Sequence, residues 1–122
     1  MNIVIYHQDR NLQNQLIDIM HDIQPYSHVD SFTSSDELLE YAKKNSPHVI
    51  FISFEESGGK GCFLASQLKK LLPKANLIAM ASKPKYESEA MKLRISGYIL
   101  GKTLTREIVE QELNDLRYDW ER

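Results

Sequence analysis

Four short polar segments follow apolar runs in this sequence, and they contain the residues whose types could support chemistry. The segments are His7-Gln8-Asp9, Ser53 to Gly59, Ala81 to Lys83 and Gly101-Lys102. A serine hydroxyl becomes a nucleophile only with a neighbouring base or metal, and the sequence offers Ser53 no evident base. We therefore expect Ser53 to be a hydrogen-bonded residue at the end of a buried strand.

Other reactive side chains are not spaced for a metal, phosphate or redox site. His7 follows the first apolar run and His48 precedes the third, so the two imidazoles should lie at opposite edges of a parallel sheet. In Gly58-Gly59-Lys60-Gly61 a glycine follows the lysine, where a phosphate-binding loop needs Ser or Thr. Cys62 is the single cysteine, which favours packing over redox chemistry.

Hydrophobic periodicity predicts five strands alternating with five helices, which would position these segments. Asp9 and Ser34 are placed to cap the first two helices, and apolar residues from Leu104 to Leu116 form the stripe of the last helix. The run 49–54 is apolar on both faces, which is typical of a central strand covered by helices. The predicted strands are 3–6, 28–32, 49–54, 77–81 and 97–100. Such an alternation favours a parallel sheet with ligands bound at the carboxyl ends of its strands.

Length and charge restrict the class of function. The chain has 122 residues and a formal net charge of -2, which suits one domain over 1–119 with 120–122 as a tail or the start of a linker. This charge provides no electrostatic footprint for nucleic acid or anionic lipid. Because no apolar run approaches the roughly 20 residues of a membrane span, we expect a cytoplasmic protein without membrane contact.

Several motifs together resemble a CheY-like receiver domain of bacterial two-component response regulators. The resemblance covers residues 3 to about 116 and rests on Ile3 to Asp9, Ser46 to Ser53, Gly61 and Gly97-Tyr98-Ile99-Leu100. It implies a flavodoxin-like (βα)5 three-layer sandwich with a five-stranded parallel sheet of order 2-1-3-4-5.

The resemblance also implies positions for a phosphorylation site. In that family a histidine kinase supplies a phosphoryl group to an aspartate at the end of the third strand, with Mg²⁺ held by that aspartate and an acidic pair after the first strand. In this chain Ser53 stands at the position of the aspartate, and His7 and Gln8 stand at the acidic pair. Ala81 stands where the family has a hydroxyl residue after the fourth strand.

The remaining family positions are matched unevenly. Tyr98 matches the aromatic switch position, whereas Lys102 reaches the lysine position only if a glycine is inserted. The resemblance thus predicts a pseudo-receiver with no enzymatic activity and no cofactor, which binds a protein partner or a second copy through its last α-β-α face, about 85–118. Its last helix looks like that of receivers that precede a transcriptional effector domain.

Two other interpretations remain open at this point. In one, the receiver is still phosphorylated, with Asp9 and either Glu55 or Glu56 restoring metal binding. In the other, the chain is a small flavodoxin-like cofactor-binding protein, which is disfavoured because no phosphate cradle follows the first or third strand.

Overall fold

One parallel sheet of five strands forms the centre of the molecule, in the order β2-β1-β3-β4-β5. The computed structural model describes residues 1–55, 60–101 and 104–118, without the side chain of Lys60. The strands are β1 (Asn2–Tyr6), β2 (His28–Phe32), β3 (Val49–Ser53), β4 (Asn76–Ala81) and β5 (Gly97–Leu100). The predicted flavodoxin-like arrangement and strand order are confirmed.

In the described part of the chain four helices connect the strands, a fifth follows β5, and a 3-10 turn over Pro84–Tyr86 leads into the fourth. The helices are α1 (Arg10–Ile23), α2 (Ser35–Asn45), α3 (Lys60–Leu71), α4 (Glu87–Lys92) and α5 (Arg106–Asn114). The last helix is shorter than predicted, because Thr105 caps it and the helix ends at Asn114. Leu104 and Leu116 therefore lie outside α5, although both pack against the core.

The helix starts follow from local capping. The Asp9 carboxylate accepts hydrogen bonds from the backbone N–H groups of Asn11 and Leu12, and the Ser34 hydroxyl accepts from the backbone N–H of Glu37. These bonds satisfy amide groups that have no partner inside a helix. Both predicted caps are confirmed.

Alternate residues of each strand contact different helical layers. Val4 and Tyr6 of β1 pack with side chains of α2, α3 and α4, whereas Ile3 and Ile5 pack with side chains of α1 and α5. Every residue of β3 is buried, which confirms its prediction as a central strand. The result is a helix-sheet-helix sandwich whose loops meet at the two edges of the sheet.

The two histidines that flank the sheet are separated as predicted. His48 lies at the amino-terminal edge, where its Nδ1 accepts a hydrogen bond from the backbone N–H of Asn2 at 3.0 Å. Burial lowers the pKa of His48, and the positive charge of the terminal amine lowers it further. His7 follows β1 at the opposite edge. Across the described ranges, no helix is long and apolar enough to cross a bilayer.

Candidate functional site

A cavity of about 190 Å³ opens at the carboxyl edge of the sheet, where the sequence predicted a ligand site. It brings together the loops that follow β1, β3, β4 and β5. Its lining residues are His7, Asp9, Leu12, Glu55, Met80, Ala81, Ser82 and Gly101. Of the six residues predicted to form the site and its switch, His7 and Ala81 line this cavity.

The loop after β1 is held by hydrogen bonds within the loop itself. His7 Nδ1 accepts from the backbone N–H of Asp9 at 3.0 Å, so this nitrogen carries no proton in the observed arrangement. Asp9 Oδ1 in turn accepts from the amides of Asn11 and Leu12 at 2.9 and 3.3 Å. The Asp9 carboxylate therefore acts as a helix cap, as predicted.

The buried side chain of Gln13 also holds this edge of the sheet. This role was not predicted from the sequence. Gln13 is buried in α1, with 2% of the residue exposed. Its Nε2 donates hydrogen bonds to the carbonyl oxygens of His7 at 2.7 Å and Phe32 at 3.0 Å. One amide thus ties the ends of β1 and β2 together, which positions the His7 backbone.

Glu55 connects the loops that follow β3 and β4. Its Oε1 accepts a hydrogen bond from the backbone N–H of Ser82 at 2.6 Å, and its Oε2 accepts from Ser82 Oγ at 2.8 Å. Hydrogen bonds to a carboxylate are stronger than those between neutral groups. From the sequence, Glu55 was expected only as an alternative metal ligand, and its two-point contact with Ser82 was not predicted.

Ser53 lies beneath the cavity and does not line it. It is the last residue of β3, only 2% exposed, and it pairs in register with Met80 of β4. Gly61 packs directly above it, because a Cβ at position 61 would overlap the Ser53 carbonyl oxygen and Phe54 Cα. The backbone of α3 thus packs against the backbone at the end of β3.

Gln8 is a further predicted residue that does not line this cavity. Gln8 turns toward α2, where its Nε2 donates to the Thr33 carbonyl oxygen and its side chain lines a separate cleft. Gln8 follows His7 in the sequence, but its side chain does not line the cavity that His7 lines. Lys102, Glu56 and the tail 120–122 lie outside the described residues.

Tyr98, predicted as the switch residue, lies on β5 in the last α-β-α face. Its hydroxyl donates a hydrogen bond to the Lys83 carbonyl oxygen at 3.0 Å, and its ring meets Phe54 edge to face at 6.5 Å between centroids. Burial raises the pKa of Tyr98, and the negative charges of Glu87 and Glu55 raise it further. The ring also lines a groove of about 390 Å³ beside α4.

The donors at this edge do not fit the Mg²⁺ site that the family resemblance implies. Magnesium prefers octahedral oxygen ligands that include carboxylates. The acidic-pair positions hold an imidazole and an amide, Asp9 caps α1, and both Glu55 oxygens accept from Ser82. Within 1–55, 60–101 and 104–118, no three His, Cys, Asp or Glu side chains converge as a metal site would require.

Comparisons with known proteins found similar solved structures but no matching family model or curated sequence. No protein-family model matches the chain, and no curated protein sequence matches it significantly. A CheY-like response regulator receiver domain from Methanospirillum hungatei JF-1 superposes with a TM-score of 0.81 at 14% identity, covering 93% of this chain and 90% of that one. A two-component response regulator from Clostridium difficile superposes with a TM-score of 0.81 at 17% identity, covering 93% of each chain.

A third similar structure is a longer protein. RcsB from Salmonella enterica serovar Typhimurium, solved bound to promoter rprA in the presence of the phosphomimetic BeF3-, superposes with a TM-score of 0.80 at 22% identity. The match covers 96% of this chain and 68% of RcsB. The strand order, the helical layers and these superpositions together show that this chain has the fold of CheY-like response regulator receiver domains.

Proposed function

We propose that this chain is an atypical receiver module that acts without aspartyl phosphorylation and binds a protein partner or a second copy of itself. The observation that carries the proposal is the residue at the end of β3, where a buried serine stands at the phosphoacceptor position. A serine there has neither the carboxylate that forms an acyl phosphate nor a base to activate it. The surrounding donors support the same proposal, since Asp9 and Glu55 are used in hydrogen bonds within the chain.

The first prediction concerns the response to a phosphoryl donor. We expect no acyl phosphate on the purified chain after treatment with acetyl phosphate and Mg²⁺, because the nucleophile and the acidic pair are replaced. In an amide NMR titration with Mg²⁺ and then beryllofluoride, we expect the signals of His7, Ser53 and Ala81 to stay unchanged. A receiver that carries the full acidic set serves as the positive control. Saturable shifts that reach Tyr98 would support the alternative of a phosphorylated receiver with a rearranged site.

The α4–β5–α5 face, defined as residues 85–100 and 104–118, is the proposed binding surface. It exposes Met91, Leu100 and Ile108, at 79%, 50% and 37% of their surface. The groove beside Met91 is also lined by Arg94, Arg117 and Glu87. An apolar centre with charges of both signs around it suits a specific protein interface.

One charge of this face is already neutralised within the chain. Arg106 of α5 binds Asp22 of α1 at 2.6 Å and Glu110 at 3.3 Å. Arg106 therefore joins the two helices of one layer. The groove is lined by other charged residues of the face, which are Arg94, Arg117 and Glu87.

The second prediction tests the face directly. We expect Met91→Glu to abolish concentration-dependent self-association, or binding of the partner if the chain is a monomer, because it puts a charge at the apolar centre. Sedimentation velocity over a range of concentrations is the measurement. Phe63→Glu is the matched control, since Phe63 is 67% exposed but lines the cleft beside α2. Equal effects of the two variants would contradict the proposed face.

A neighbouring domain is also part of the proposal. RcsB extends beyond the region that this chain matches and was solved on a promoter. By analogy, we propose that contact with DNA, where it occurs, is made by a separate effector domain. The formal charge of -2 is consistent with this division of roles, since a basic surface is the electrostatic footprint of DNA binding.

A further inference from the structure

Glu55 is linked to Tyr98 through two adjacent residues, Ser82 and Lys83. The Glu55 carboxylate accepts hydrogen bonds from Ser82, one from the backbone N–H at 2.6 Å and one from Oγ at 2.8 Å. The next residue, Lys83, accepts the hydrogen bond of the Tyr98 hydroxyl with its carbonyl oxygen at 3.0 Å. A movement of the Ser82-Lys83 segment would therefore change the partner of the Tyr98 hydroxyl.

A second contact joins the loop after β3 to Tyr98, this time through the tyrosine ring. Phe54 immediately precedes Glu55, is fully buried, and meets the Tyr98 ring at 6.5 Å with an interplanar angle of 87°. Phe54 is itself anchored, because its backbone N–H donates to the Met80 carbonyl oxygen at 3.0 Å. The loop after β3 thus holds Tyr98 by its ring through Phe54 and by its hydroxyl through Glu55.

Tyr98 in turn shapes the groove on the α4–β5–α5 face. The groove of about 390 Å³ is lined by the Tyr98 ring together with Met91, Ile95 and Arg94. Because the ring forms part of the wall, a change in its rotamer would alter the space beside Met91. Glu55 and Ser82 line the cavity at the carboxyl edge, and Tyr98 lines the groove, so the hydrogen-bonded chain runs from one to the other.

We propose that Glu55 is a positioning residue for Tyr98: its carboxylate fixes Ser82-Lys83, the Lys83 carbonyl fixes the Tyr98 hydroxyl, and the Tyr98 ring fixes the groove beside Met91. The chain itself supplies the anion that holds the loop after β4. A role of this linkage in signalling rests on the proposed function. The linkage itself can be measured without a partner or a phosphoryl donor.

A double-mutant cycle tests the linkage. Glu55→Ala, Tyr98→Phe and the double variant are compared by urea unfolding, and we expect their effects to be non-additive because the two side chains act in one hydrogen-bonded network. Glu40→Ala with Tyr98→Phe is the matched control, since Glu40 is exposed on α2 and pairs with Lys43. We expect this control pair to be additive.

NMR of the same variants reports the positions of the groups. In Glu55→Ala we expect the Ser82 amide to exchange about 10- to 100-fold faster, as the loss of a charge-assisted hydrogen bond implies. We also expect the Tyr98 ring and Met91 methyl signals to shift in Glu55→Ala and to stay in place in Glu40→Ala. Faster Ser82 exchange with unchanged Tyr98 and Met91 signals, or an additive cycle, would overturn the proposal.

A milder variant keeps the test decisive if Glu55→Ala does not fold. Ser82→Ala removes the Oγ donor and leaves the backbone N–H bond to Glu55, so we expect a smaller Tyr98 shift and a non-additive cycle with Tyr98→Phe. An unmoved Tyr98 in folded Ser82→Ala, with an additive cycle, would overturn the linkage. A beryllofluoride response, by contrast, would count against the proposed function alone.

Discussion

Replacement of Asn76 by leucine is expected to lower the free energy of unfolding by about 2–4 kcal/mol, although the two side chains have similar volumes. Asn76 is 2% exposed at the start of β4, and both ends of its amide are bonded. Its Oδ1 accepts from Ser96 Oγ at 2.6 Å and from the backbone N–H of Tyr118 at 2.8 Å. Its Nδ2 donates to the carbonyl oxygens of Tyr118 at 2.9 Å and His48 at 3.3 Å.

The loss follows from the partners that leucine leaves behind. Ser96 and both backbone groups of Tyr118 would lose their hydrogen bonds near the protein interior, and each buried group without a partner is costly. The segment after α5 would lose its two hydrogen bonds to Asn76 and keep the bond from the Arg117 N–H to Ser96 Oγ, so amide exchange should increase at Tyr118 more than at Arg117. Chemical denaturation measures the first effect and hydrogen exchange the second.

Two variants make this prediction specific. Asn45→Ala removes an exposed amide that bonds only the Tyr41 carbonyl one turn earlier, and it should change the unfolding free energy little. Asn76→Asp keeps the Oδ1 acceptor but turns a carboxylate toward two carbonyl oxygens, which favours the protonated acid in the fold. Its folded-state pKa would then exceed the unfolded value, so the destabilisation should decrease as the pH is lowered. An Asn76→Leu variant as stable as Asn45→Ala would contradict the role of Asn76.

Features with a local cause could be predicted from the sequence. Asp9 and Ser34 bond amides two or three residues ahead, so residue type and spacing suffice to identify them as caps. The run 49–54 predicted a central strand because a strand covered on both faces needs apolar residues at every position. The predicted α5 was too long, because Leu104 and Leu116 pack on the core without being helical.

The polar residues that organise the edges of the sheet could not be predicted in the same way. Gln13, Glu55 and Asn76 bond groups that are 19, 27 and 42 residues away in the sequence. A single polar residue beside an apolar pattern does not indicate its partner, and Asn76 precedes the strand that periodicity predicted. Gln8 shows the complementary difficulty, because a matched position does not give the direction of a side chain.

Gly61 was singled out by the sequence resemblance, and the structure gives a steric reason for a glycine there. Gly61→Ala is expected to lower the free energy of unfolding by about 2–4 kcal/mol. A Cβ at this position would overlap the Ser53 carbonyl oxygen and Phe54 Cα, which are backbone atoms. β3 cannot move away easily, because it is bonded to β1 on one side and β4 on the other. Helix propensity alone predicts the opposite sign, since alanine is favoured over glycine inside a helix by about 1 kcal/mol.

The sign of the Gly61→Ala effect therefore decides between close approach and propensity. Gly101→Ala is the matched control: Gly101 has a φ of +107° with nothing near its missing Cβ, so its cost of about 1 kcal/mol comes from the backbone conformation alone. Denaturation of both variants gives the comparison. If Gly61→Ala is neutral or stabilising, the backbone of α3 does not press on the end of β3. A loss clearly larger than that of Gly101→Ala would mean that the glycine eight residues after Ser53 is required by the close packing of α3 against the backbone at the end of β3.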